Sequence, residues 1–152
     1  MEYKLIDVNE THLASIETLE RQCFSSPWTV EQLKKQLKDS QHEFIAAVSG
    51  DMVLGYVGMM YVLDEGYISN VAVAPEYRRL GIADALINKL ADISDSLQLA
   101  FITLEARESN NAAISLYSKH GFTPVGRRKN YYDFPKENAI LMTKFLNRGI
   151  QT

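Results

Sequence analysis

The stretch ISNVAVAPEYRRLGIADALI (Ile68–Ile87) changes character twice within twenty residues. A β-branched, apolar run stops at Pro75, and two arginines and a glycine follow. From Ile82 the apolar residues Ile82, Leu86, Leu90, Ile93 and Leu97 recur at helical spacing. The pattern predicts a strand, a turn and an amphipathic helix. A helix start leaves backbone N–H groups without partners and carries a partial positive charge, which suits an anion and phosphate above all. Gly81 lets the backbone approach a ligand with no Cβ in the way, and Arg78 and Arg79 can add charge-assisted bonds. Spacing alone leaves a second reading open, a plain surface helix start with two solvated arginines. Other phosphate cradles fit poorly, because the chain has no Gly-Lys pair and no G-x-G-x-x-G.

Working outward, YKLIDV predicts a first strand, and Asn9 or Thr11 caps a helix running to about Phe24 with Leu13, Ile16, Leu19 and Glu20 at helical spacing. SSPWT breaks that helix. Thr29 with Gln32 has the capping-box spacing and opens a short second helix. EFIAAV, the turn SGD and MVLGYVGMMYVL predict a hairpin, and GYISNVAV a further strand. After the helix at Ile82 come a strand, LAFITLEA, and a helix, NNAAISLYSKHG, with Gly121 as its terminating residue. FTPVGRR and AILMTKFL close the chain as strands. The order β-α-α-β-β-β-α-β-α-β-β predicts an α/β fold, a mixed sheet flanked by helices in one domain spanning 1–152.

The 152 residues carry 16 basic and 19 acidic side chains, a net charge of -3, which argues against wholesale binding to a nucleic-acid backbone. Arg127-Arg128-Lys129 is read either as a local docking patch or as a solvated face. One cysteine, Cys23, cannot form an intrachain disulfide. The start lacks a signal-peptide pattern, and no apolar run reaches the ~20 residues a bilayer requires. The expectation is a soluble cytoplasmic protein with no membrane contact. His12, His42 and His120 are scattered, so no metal site is expected.

Arg78-Arg79-Leu80-Gly81-Ile82-Ala83 resembles the [R/Q]-x-x-G-x-[G/A] signature of the GNAT N-acetyltransferase superfamily. The resemblance implies the GNAT fold and acetyl-CoA as cosubstrate, with the loop backbone holding the pyrophosphate. Val71-Ala72-Val73 would then pair with the pantetheine arm. Ala83 stands where the last glycine often lies, and it still offers an N–H.

Acetyl transfer to an amine requires a group that takes the amine proton and one that donates toward the departing sulfur. Glu105 ends a predicted strand and Tyr117 lies in the helix that follows. Read by themselves, these are equally an exposed strand-end carboxylate and a core tyrosine. LEARESNNAAISLYSKHGF resembles the LEVRxSNxxAxxLYxxxGF stretch of the ribosomal-protein alanine N-acetyltransferases, the RimI branch of the superfamily. That resemblance implies Glu105 as general base, Tyr117 as general acid and Asn110 as a cofactor contact. CFSSPWT resembles the branch's acceptor loop and points to Trp28, and RRKNYYDFPKENAILM resembles its ending. Tyr131 and Tyr132 are candidates for the acceptor channel, although neighbours on a regular strand face opposite ways, so at most one is expected to face it. The implied acceptor is the N-terminal alanine of a ribosomal protein, attacked directly with no acetyl-cysteine. The alternatives are a lysine or small-amine acetyltransferase, or a coenzyme A-binding sensor without catalysis.

Overall fold

The computed structural model describes residues 2–146. Strand β1 (Lys4–Asp7) leads into helices α1 (Leu13–Cys23) and α2 (Val30–Leu37). The hairpin β2 (His42–Ser49) and β3 (Met52–Val62) follows, then β4 (Glu65–Val73) and α3 (Ile82–Ser96). The chain continues through β5 (Phe101–Arg107), α4 (Asn111–Lys119), β6 (Thr123–Asp133) and β7 (Lys136–Phe145). Elements follow one another in the expected order. The strands hydrogen-bond in the order β1-β2-β3-β4-β5-β7-β6. β4 and β5 run parallel, Glu65–Tyr67 against Phe101–Thr103, whereas β1–β2, β2–β3, β5–β7 and β6–β7 are antiparallel. The sheet is therefore mixed.

Local chemistry sets the element ends. Asn9 accepts the Thr11 N–H at 2.9 Å, fixing the single 3-10 turn that feeds α1. Thr29 and Gln32 form the reciprocal capping box of α2, with Gln32 N–H on Thr29 Oγ1 at 3.2 Å and Thr29 N–H on Gln32 Oε1 at 2.9 Å. Gly121, at φ 89°, ends α4 and lets the Phe122 N–H return to the Tyr117 carbonyl at 3.0 Å.

Contacts sort the chain into two compact units, residues 1–60 with 69–91 and residues 61–68 with 92–152. In the first, Leu13, Ile16 and Leu19 of α1 and Leu33 of α2 pack with Phe44, Ala46, Val48, Tyr56 and Ala72. Each fully buried Ile or Leu there contributes about 1.5–3 kcal/mol of transfer free energy. In the second, Leu99, Ile102, Leu104, Phe122, Ala139 and Met142 are buried. Among the described residues no helix is long and apolar enough to cross a membrane.

Candidate active site

The turn before α3 is built on left-handed backbone. Arg79 has φ 65° and Gly81 has φ 78°. Such a conformation is uncommon outside glycine and persists where the surrounding structure over-determines it. A Cβ placed at Gly81 would meet no atom within 4 Å. Open space therefore lies in front of a helix start whose first N–H groups lack intrahelical partners. The turn fits a pyrophosphate by the room at Gly81 and the donors that α3 presents. Arg79 and Leu80 are exposed, Ile82 is buried and Ala83 is half-buried.

Arg78 departs from the sequence expectation. Its Nε donates to the Val73 carbonyl at 3.1 Å and its Nη2 lies 3.5 Å from Cys23 Sγ. Cys23 Sγ shares that carbonyl at 3.5 Å. The guanidinium is thus tied to the end of β4, and the Val73 carbonyl is engaged before any ligand arrives. Burial pushes the Cys23 thiol up, with the Arg78 hydrogen bond opposing it, so the sulfur is held as a thiol.

Glu105 lies on β5 with its side chain 5% exposed. Tyr67 of β4 donates its hydroxyl to Glu105 Oε1 at 2.5 Å. Glu105 Oε2 accepts no hydrogen bond, and Arg128 Nε stands 3.7 Å away. One Glu105 oxygen is thus hydrogen-bonded, while the other is buried beside the Arg128 guanidinium and retains lone pairs for a further donor. Burial, followed by the bond to Glu105, raises the Tyr67 phenol far above its ordinary range. Tyr117, on α4, is 9% exposed and packs against Phe122 at a centroid distance of 5.9 Å. Burial, then the neighbouring Tyr132, pushes its phenol up to about 12. Asn110 caps α4, its Oδ1 accepting the Ala113 N–H at 3.1 Å.

Tyr131 and Tyr132 both interact with Glu105. Interaction with Glu105 is the first cause raising the Tyr131 phenol. Tyr132 is pushed up to about 12, by burial and then by Glu105. The register explains why both sense one carboxylate. Arg128 pairs with Ala139 and Tyr132 with Glu137, so residues 129–131 of β6 stand opposite Asn138 alone. Asn138 fills the bulge by accepting the Asn130 N–H at 2.9 Å, where Asn130 has φ 54°. Alternation fails inside a bulge, and the side chains are re-aimed. Arg107 then sets the Tyr132 ring, its guanidinium carbon 4.3 Å from the centroid, while its Nη1 donates to the Pro135 carbonyl at 2.9 Å. Two residues of the basic cluster are paired while remaining exposed, Arg127 with Glu108 at 2.8 Å and Arg128 with Glu105.

In the first unit, Trp28 is half-buried in the α1–α2 loop. Its N–H donates to Glu20 Oε1 at 2.9 Å, and the Val30 N–H donates to Glu17 Oε2 at 2.7 Å. Sequence reading missed Tyr67, Arg128 and Glu20. The signal for Tyr67 lay in the parallel register, since it pairs with Thr103, two residues before Glu105 and on the same face.

The chain matches the family model "Acetyltransferase (GNAT) family" over residues 13–122. It is 33% identical over 131 residues to the [ribosomal protein bS18]-alanine N-acetyltransferase of Haemophilus influenzae, covering 84% of this chain and 88% of that protein. The crystal structure of the ribosomal-protein-S18-alanine N-acetyltransferase from Escherichia coli superposes with a TM-score of 0.87 at 26% identity, over 99% of this chain and 100% of that one. Arabidopsis thaliana NAA60 in complex with acetyl-CoA shares the fold, with a TM-score of 0.88 at 23% identity over 96% and 99% of the two chains.

Proposed function

The chain belongs to the acetyltransferase (GNAT) family, and from that premise we propose that it acetylates the α-amine of a protein N-terminus, with the N-terminal alanine of ribosomal protein bS18 as acceptor and acetyl-CoA as donor. The observation that carries this reading is the buried Glu105 carboxylate, held by Tyr67 through one oxygen and set beside Arg128 at the other. Bound acetyl-CoA supplies a thioester carbonyl as electrophile. The α3 N-terminus with Gly81 and Arg79 holds its pyrophosphate, and backbone of Val71, Ala72 and Val73 holds its pantetheine arm. Asn110 retains its amide nitrogen for the cofactor while its oxygen caps α4.

Glu105 Oε2 takes the proton of the incoming amine. An α-amine has a pKa of roughly 8 and a lysine amine roughly 10.4, so one carboxylate serves the former far better near neutral pH. Tyr117 keeps its proton throughout the neutral range because its phenol lies at about 12. Full transfer to a thiolate of ordinary pKa about 8.5 is uphill. As the amine nitrogen bonds to the carbonyl carbon and the C–S bond breaks, Tyr117 would donate a hydrogen bond to the sulfur, and coenzyme A would leave as the thiolate and take its proton from solvent. Trp28 is assigned to acceptor binding, and so, separately, are Tyr131 and Tyr132. Cys23, held as a thiol, takes no part. The proposed place of action is the cytoplasm, where ribosomal proteins are made.

The test compares kcat/KM for a peptide beginning Ala-Arg with that for the same peptide blocked at its N-terminus and carrying free lysines. Faster turnover of the free N-terminus is expected. A preference for the blocked peptide, or for a polyamine, would refute the acceptor assignment.

A further inference from the structure

Glu20 is 1% exposed, and the proposed chemistry does not use it. Its carboxylate collects three donors from three parts of the chain. Trp28 N–H reaches Oε1 at 2.9 Å from the α1–α2 loop. Tyr56 Oη reaches Oε2 at 2.5 Å from β3, and Asn70 Nδ2 reaches the same oxygen at 2.9 Å from β4. Asn70 Nδ2 also lies 3.0 Å from the Tyr56 hydroxyl, which closes the network. Burying a carboxylate carries a desolvation penalty that is offset only while its hydrogen bonds are made. An apolar side chain would fill the same position without that requirement, so the carboxylate does more than pack. Its three partners hold their places together or lose them together.

Two of those partners flank the proposed working surfaces. Trp28 belongs to the acceptor loop, and Asn70 immediately precedes the Val71–Val73 segment assigned to the cofactor. We propose that Glu20 is a positioning residue that couples the two. Cofactor on β4 steadies Asn70, Asn70 with Tyr56 steadies the Glu20 carboxylate, and the carboxylate fixes Trp28 in its peptide-binding position. Glu17, clamping Val30 at 2.7 Å, secures the far end of the same segment. The coupling is reciprocal, so peptide tightens cofactor by the factor with which cofactor tightens peptide. This inference rests on the acceptor reading above.

The experiment measures the Kd of an Ala-Arg peptide by calorimetry, without and with saturating coenzyme A, which cannot react. In the wild type, coenzyme A should tighten the peptide at least about fivefold, the lower end of ordinary coupling between sites. Glu20→Gln is isosteric, yet any orientation of the amide faces its nitrogen toward at least one donor. Its ratio should fall to within about twofold of unity. Tyr56→Phe, which keeps the ring, should lower the ratio in the same direction and serves if the first variant does not fold. Coenzyme A affinity measured alone should stay near wild type in both. Simple destabilisation would raise the apparent ratio, because coenzyme A refolds the protein, and so moves it opposite to the expected change. A wild type that acetylates the peptide while showing no coupling overturns this proposal alone, as do folded variants that keep the wild-type ratio. A wild type that binds no such peptide overturns the acceptor reading and this proposal together.

Discussion

Replacing Tyr117 with phenylalanine removes one oxygen and leaves the ring against Phe122. At pH 7 the packing is retained, so stability should change by less than about 1 kcal/mol. Turnover should not survive as well. A donor aimed at developing charge contributes about 10²–10³-fold, equivalent to roughly 3–4 kcal/mol of barrier, so kcat should fall by that factor while KM for acetyl-CoA stays put. The phenol also leaves a mark on stability at alkaline pH. Its folded value of about 12 lies above the ordinary value of about 10, so its contribution is whole below pH 10 and lost as pH climbs toward 12. Urea unfolding of both proteins at pH 9 and pH 11 isolates this residue from the other raised tyrosines. Between those two points the wild type should lose about 1.4 kcal/mol more than Tyr117→Phe. Turnover within threefold of wild type would refute the donor role, and equal losses between pH 9 and pH 11 would refute the buried phenol.

Glu105→Gln should cut kcat/KM about 10²–10⁴-fold at pH 7 and recover part of it above pH 8, where the amine sheds its own proton; a flat pH response in the variant would count against the base assignment. Tyr67→Phe removes the hydroxyl that donates to the buried Glu105 carboxylate and should cost about 1–3 kcal/mol in urea unfolding, a loss that an unchanged midpoint would contradict. Gly81→Val forces a β-branched residue to φ 78° at the pyrophosphate turn and should weaken coenzyme A in calorimetry by at least about tenfold; wild-type affinity in a folded variant would remove the anion-site reasoning. Cys23→Ser should leave turnover within about twofold, since direct attack does not require the thiol, whereas a trapped acetyl-Cys23 would replace the mechanism.

Features written in contiguous residues were legible in advance. The capping signals at Asn9, Thr29 and Gly121 act within a few residues of themselves; Thr29 and Gly121 mark the ends of α2 and α4, whereas Asn9 caps a 3-10 turn and α1 begins after it at Leu13. The Glu105 and Tyr117 segment was legible for the same reason, as one continuous stretch. Partnerships across the chain were not. Glu20 reads as one more position on the apolar face of α1, because its partners Tyr56 and Asn70 lie 36 and 50 residues away. Tyr67 sits in an ordinary strand pattern until the parallel register brings it to Glu105. Arg78 was assigned outward by its place in the motif, whereas the Val73 carbonyl and Cys23 draw it back. The alternation rule applied to Tyr131 and Tyr132 holds for a regular ladder, and the bulge opposite Asn138 removes its premise.

That bulge also bears on how readily the edge of the sheet could pair with another chain. β6 is the outermost strand of its side of the sheet and almost wholly exposed over eleven residues, a long template for pairing with another chain. Residues 129–131 interrupt the template near its middle, and Arg127, Arg128 and Lys129 crowd charge onto it. At the opposite margin β1 is only four residues long. Removing Lys129 and Asn130 would bring β6 from Gly126 to Asp133 into one continuous register with β7, and the longer regular edge would invite strand-to-strand assembly. The irregularity beside the Tyr131–Tyr132 pair thus also blunts the free edge of the sheet.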